Sequence, residues 1–197
     1  MMKYVIYFCA IALMLLMATT ANADDWEVRQ NNIQLSKDKY HVRFRNYDGK
    51  DKSHVQLGWK DGRWKAQYQY WSGNGKVEHR PRFDFRIARV TFHDHKFSVG
   101  VRTEFRIFES KEDYIRPWVQ LGYKYKNFNV SVNPRFAYGK EGKEAGYWED
   151  ILTTVHYDWK LNDRVTIQPG FWYQSEGEKN LGHKKNIYST IQLKIKF

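Results

Sequence analysis

The chain has one cysteine, Cys9, and it lies near the amino terminus within an apolar run. Everything after it is cysteine-free, which excludes a disulfide framework and a thiol nucleophile there. Beyond that run no stretch approaches the roughly twenty apolar residues that a spanning helix needs. Glycine-rich phosphate loops are absent, and Gly73-Asn74-Gly75 reads as loop punctuation. Acids are outnumbered, 22 Asp and Glu against 33 Lys and Arg, giving a formal net charge of +11. Such a balance suits nucleic acid or an anionic surface as a partner, so the placement of the basic residues has to decide.

At the amino terminus, Lys3 precedes the apolar run Val5 to Met17, and Ala21-Asn22-Ala23 forms a small-residue cleavage site after it. Residues 1–23 therefore read as a secretory signal peptide, and residues 24–197 as the exported part. Asp24 to Lys37 shows no sustained period of two and reads as an amino-terminal extension that plugs, gates or lies against the remaining domain. That domain spans residues 39–197, in which apolar and polar residues alternate to the end.

Successive side chains of a strand point to opposite faces, so this alternation can be assigned strand by strand. Lys39 to Tyr47 puts Tyr40, Val42 and Phe44 on one face and His41, Arg43 and Arg45 on the other. His54 to Lys60 and Arg63 to Trp71 flank Asp61-Gly62, a strong hairpin signal. After a loop at Ser72 to Pro81, the strand Arg82 to His93 slips phase, and a β-bulge near Ala88 reconciles its halves. Strands at 97–107 and 115–125 come next, and then Lys126-Asn127 as a tight turn before a strand at 128–138. The last three are 150–159, 165–174 and 187–197. Pro117, Pro134 and Pro169 mark strand ends, edges or bulges.

Ten strands result, several of about the nine to eleven residues that cross a bilayer at a tilt. Long and short connections alternate, with both chain ends on the short-turn side. The 8 Trp, 14 Tyr and 12 Phe suit interfacial girdles. The expected fold is an all-β, antiparallel, up-and-down transmembrane barrel of the bacterial outer membrane. The strands would meet lipid and lipopolysaccharide, and no nucleic acid is expected as a partner.

Lys and Arg avoid the lipid-facing parity, where a charge near the midplane costs about 2–4 kcal/mol. They collect on the other parity: Arg43, Arg45, Arg63, Lys65, Arg102, Arg106, Arg116, Lys124, Arg135, Lys194 and Lys196, with Arg86 and Arg89 on either side of the bulge. Inward acids are few on this reading: Glu104, Asp150, Asp158 and Asp84. A lumen lined by unpaired guanidinium groups concentrates anions and repels cations. Arginine adds a two-point geometry for carboxylates. The alternative is that these arginines fill a narrow barrel and pair with acids from the loops.

Two stretches carry a resemblance to a known family. One is Val55-Gln56-Leu57-Gly58-Trp59-Lys60-Asp61-Gly62-Arg63-Trp64-Lys65-Ala66. The other runs from Phe97 to Tyr138 around Arg116-Pro117-Trp118-Val119-Gln120-Leu121-Gly122-Tyr123, and the terminal Lys194-Ile195-Lys196-Phe197 fits as well. In pattern the chain resembles the oligogalacturonate-specific porins (KdgM family), which include the N-acetylneuraminic acid channel. The resemblance implies a monomeric twelve-stranded barrel, two strands more than the ten read here, and passive uptake of acidic oligosaccharides. It also gives the inward arginines the part of a substrate pathway, and it implies neither enzyme activity nor a cofactor.

The residues admit two other functions. His156, with Asp150, Asp158, Thr154 and Ser131 nearby in the expected wall, has the groups of a lipid or lipopolysaccharide hydrolase. The bland reading is a lumen histidine. His93 and His95 flank a turn without the further ligands of a metal site. A structural or adhesive barrel, with its function in the loops, is the last alternative.

Overall fold

The computed structural model describes residues 28–48, 52–109, 112–139, 147–175 and 184–197. The expected signal peptide lies outside the described residues, as do most of the longer connections.

Among the described residues there are twelve strands and no helix: β1 Val28–Lys37, β2 Tyr40–Asp48, β3 Lys52–Asp61, β4 Trp64–Gly73, β5 Lys76–Phe92, β6 His95–Phe108, β7 Tyr114–Tyr125, β8 Phe128–Ala137, β9 Tyr147–Tyr157, β10 Trp159–Lys160, β11 Val165–Ser175 and β12 Lys184–Lys196. Each strand from β1 to β8 pairs with the next, β12 pairs with β11 and β1, and β11 pairs with both β9 and β10. The sheet is thereby a closed barrel. Only Asp158 separates β9 from β10, and both pair with β11, so together they occupy one position in the wall. Eleven strands surround the lumen.

The count exceeds the ten read from the sequence because residues 28–37, read there as extension, form a wall strand. β1 runs antiparallel to β2 and parallel to β12, with Ile33 opposite both Phe44 and Leu193. Its amides Asn31 and Asn32 point to opposite faces, which hides the period of two. What makes it a strand is hydrogen bonding on both edges. An odd number of strands also moves one chain end. β12 finishes at the rim that carries the tight turns at 38–39, 62–63, 93–94 and 126–127, whereas β1 starts at the opposite rim. The expectation that both ends share the short-turn side is corrected accordingly.

The alternation of loop lengths also breaks at one place. β4 and β5 continue to Gly73 and Lys76 and are joined by Asn74-Gly75 alone, with φ of 51° and 67°. Two consecutive positive φ values suit an Asn-Gly turn in a hairpin, so the loop expected at 72–81 is a tight turn that leads directly into wall strand. The bulge expected near Ala88 is present, as a register shift between Arg86 and Ala88. Pro117, Pro134 and Pro169 all lie within strands, Pro134 next to a second bulge at Arg135/Phe136.

The barrel is apolar outside and polar inside. Leu57, Phe83, Val101, Leu121, Phe171 and Ile191 are exposed on the outer face. The largest fully buried side chains are His54, Gln56, Gln69, Glu104 and Asp150, all polar. A water-soluble domain reverses this order, because burying unpaired polar groups costs free energy and exposing a continuous apolar belt invites association. A bilayer-facing barrel has this arrangement.

Candidate functional site: a lumen with two unlike walls

The lumen holds a cavity of about 500 Å³ into which Arg43, Arg45, Lys65, Arg102, Arg106, Arg116 and Arg135 project. These are the members of the expected basic lining that come together. Lys124 and Lys194 lie nearer the turn rim, where both contact Asp158, at 3.0 and 3.7 Å. Arg63 is exposed in the Gly62-Arg63 turn, and Arg89 is exposed beyond the bulge. Arg86 donates to the Gly62 carbonyl at 3.1 Å, away from the cavity. Lys196 is exposed and borders an outer groove with Asn162, Asp163 and Arg164.

The cavity has further cations that the sequence reading did not include. Arg80 and Arg82 come from the early part of β5, and Lys52 lies over Trp71 at 4.6 Å. Arginines also crowd the indole of Trp118, with Arg82, Arg102 and Arg135 at 5.4, 4.6 and 5.0 Å from its centre.

On the β5–β8 side every cavity arginine is backed by a carboxylate. Arg82 pairs with Glu104, and Arg102 grips Asp84 through two nitrogens at 2.5 and 2.8 Å. Glu78 receives both Arg80, at 2.5 Å, and Arg106. Arg116 spans Glu104 at 3.3 Å and Glu149 at 2.5 Å, while Arg135 holds Asp150. Glu104 and Asp150 are wholly buried beneath these groups. The expectation of too few inward acids to neutralise the arginines is overturned on this side.

Two local features bring in the missing acids. The early start of β5 turns Glu78 inward, where a loop had been expected. The bulge in the β8–β9 ladder pairs Arg135 with Asp150 and Phe136 with Trp148, leaving Glu149 without a register partner. Adjacent carboxylates, Glu149 and Asp150, are both buried as a result. Strict alternation would send Glu149 to lipid.

The β1–β4 side is different. Arg43 donates to the Gln34 side-chain oxygen at 3.1 and 2.6 Å, and Arg45 donates to the Asn32 oxygen at 2.5 Å. Arg45 also lies over the Trp172 ring at 4.6 Å. Lys65 stands opposite Asp84 in the β4–β5 ladder, but the Asp84 oxygens are taken by Arg102. Among the described residues, Arg43, Arg45 and Lys65 form no ion pair. Neutral amides from β1, with Gln56, Gln67 and Gln69 from β3 and β4, complete this wall.

The groups weighed for catalysis are engaged elsewhere. The Ser131 hydroxyl bonds to the Thr154 hydroxyl at 2.7 Å, Asp150 holds Arg135, and Asp158 accepts from Lys124, Asn129 and Gln168. His156 is packed against Gly170, where an added Cβ would lie 2.8 Å from the His156 Cβ. His95 bonds to the Tyr123 hydroxyl at 2.9 Å and His93 stacks on Phe92. No group of three or more His, Cys, Asp or Glu suited to a metal ion occurs among the described residues.

Fold and lumen together define a closed β-barrel with an apolar exterior and a charged, cavity-bearing interior. No family model, curated protein or solved structure matches the chain.

Proposed function

We propose that this protein is an outer-membrane channel that passes acidic oligosaccharides of the uronate or sialic-acid type. It would act as a monomer of the kind seen in the oligogalacturonate-specific porins. The observation that carries this reading is the ring of guanidinium and ammonium groups around the lumen cavity, in which cations outnumber the carboxylates Glu78, Asp84, Glu104, Glu149, Asp150 and Asp158. A low-dielectric cleft with an excess of one sign focuses its field and raises the local concentration of counter-ions. The cavity of about 500 Å³ falls in the usual range for small-molecule sites, about 300–1,000 Å³. The exposed apolar belt supports a bilayer location, and the signal-like residues 1–23 support export.

Reversal potentials of the purified protein in planar bilayers test the proposal. Anion preference is expected in a salt gradient. Galacturonate, alginate or sialic-acid oligomers are expected to carry or block current where neutral oligomers of equal length do not. Absence of conductance, or preference for cations, overturns the reading.

A further inference from the structure

We propose that the anion seat of the lumen is one-sided, formed by Arg43 and Arg45 of β2 and Lys65 of β4, and that the β5–β8 arginines chiefly bind uncharged parts of the ligand. The inference rests on the channel reading above and deepens it by saying which wall takes the ligand's charge.

The two walls differ in what each cation can still offer. A guanidinium has five N–H donors and a full positive charge. Behind Arg102 and Arg135 a buried carboxylate takes two nitrogens and cancels most of that charge. Arg116 is held by two carboxylates. An incoming anion there meets the buried acids as well as the arginines, and gains little net attraction. The remaining N–H groups can still donate to hydroxyls, as any neutral donor does.

Arg43 and Arg45 are also held in place, but by amide oxygens. Gln34 and Asn32 orient the guanidinium planes without cancelling their charge. Gln34 is itself braced by a hydrogen bond from Gln192 at 3.1 Å, so the support spans the β1–β12 seam. Lys65 shares the cavity, and its cross-strand acid is occupied by Arg102. Orientation without neutralisation is what a carboxylate site requires: donors already in place, with charge still to be met. Trp172 also lines the cavity, with Arg45 over its ring.

The ligand class that fits is an acidic saccharide that turns its carboxylate to β2–β4 and its hydroxyls to β5–β8. A polyanion with carboxylates on both edges would place half of them against the acid-backed wall.

The test compares loss of a cation without an acid behind it on one wall with loss of a cation together with its acid on the other, using the full chain in planar bilayers with galacturonate as the blocking probe. Folding is checked by heat-modifiable gel migration. Arg43→Gln and Lys65→Gln are each expected to weaken block by about tenfold, the size of one lost charge-assisted hydrogen bond, and to lower anion preference. The paired change Arg135→Gln with Asp150→Asn removes one cation together with the acid that grips it through two nitrogens, and is expected to weaken block by less than about threefold. An equal or larger loss in the paired variant overturns the one-sided seat. So does unchanged block in folded Arg43→Gln and Lys65→Gln. Wild-type protein without anion preference overturns the channel reading itself, so the two failures are distinguishable.

Discussion

The arginines of β5–β8 and those of β2 share strand parity, burial and a common cavity, yet different groups stand behind them. Carboxylates back the first set, and amides from β1 back the second. Breaking a buried ion pair is expensive, because it strands a charge that has already left water. Breaking a guanidinium–amide bond costs much less. The first wall is therefore a stability element as well as a lining, and the second is free to trade contacts with a ligand.

Several substitutions probe that contrast. The largest effect is expected at Glu104, which is fully buried and contacted by Arg82 and Arg116. Glu104→Gln leaves both guanidiniums short of charge and should cost about 3–5 kcal/mol in urea unfolding of the vesicle-inserted protein. If that change is tolerated without loss, the acid-backed wall is not an energetic element. Asp150→Asn comes next, at about 2–3 kcal/mol, since an amide oxygen can still accept from Arg135 and Gln174. Arg43→Gln should cost only about 1 kcal/mol by the same assay, while altering selectivity. A stability loss as large as that of Glu104→Gln would erase the distinction between the walls.

The smallest effect is expected outside the lumen. Lys39, in the β1–β2 turn, pairs with Asp61 at 2.9 Å, both half-exposed. The hydrogen bond from Lys39 to Asp61, and then the charge of Asp61, hold the Lys39 pKa above its ordinary value of 10.5. A raised folded-state pKa gives stability that is complete below the unfolded value and lost as pH climbs through the folded one. The pair should therefore be insensitive to acidification down to the carboxylate range and should fade only in strong alkali. Lys39→Met is expected to leave the unfolding midpoint near neutral pH unchanged, as is usual for exposed pairs.

How much of this was legible from the chain depends on the range of each signal. Outward Leu57, Phe83 and Ile191 and inward Arg43, Arg102 and Arg135 were readable because side-chain alternation is set within one strand. Glu149 was not, since its inward turn depends on a bulge defined by the register with β8. Glu78 and Arg80 were hidden because Gly73-Asn74-Gly75 and Pro81 together suggest a loop, whereas the chain needs only Asn74-Gly75 to reverse. β1 was hidden for the reason that makes it useful: Asn32 and Gln34 are amides that meet arginines, and they blur the apolar period. Most of the ion pairs join different strands, so composition overstated the free charge of the lumen.

The parallel seam between β1 and β12 also bears on how the barrel assembles. Two side-chain hydrogen bonds that cross it join residues 159 and 158 positions apart, Asn32 with Ile191 and Gln192 with Gln34. Every other neighbouring pair is linked through a turn or a single connecting segment. Loop-closure entropy grows with the logarithm of the intervening length, so the seam is the contact with the highest entropic cost and the last to become favourable. Until it forms, the chain is an open sheet with two unpaired edges, and the amides that orient Arg43 and Arg45 sit on one of them. The positively charged face of the lumen is thus completed only when the barrel closes.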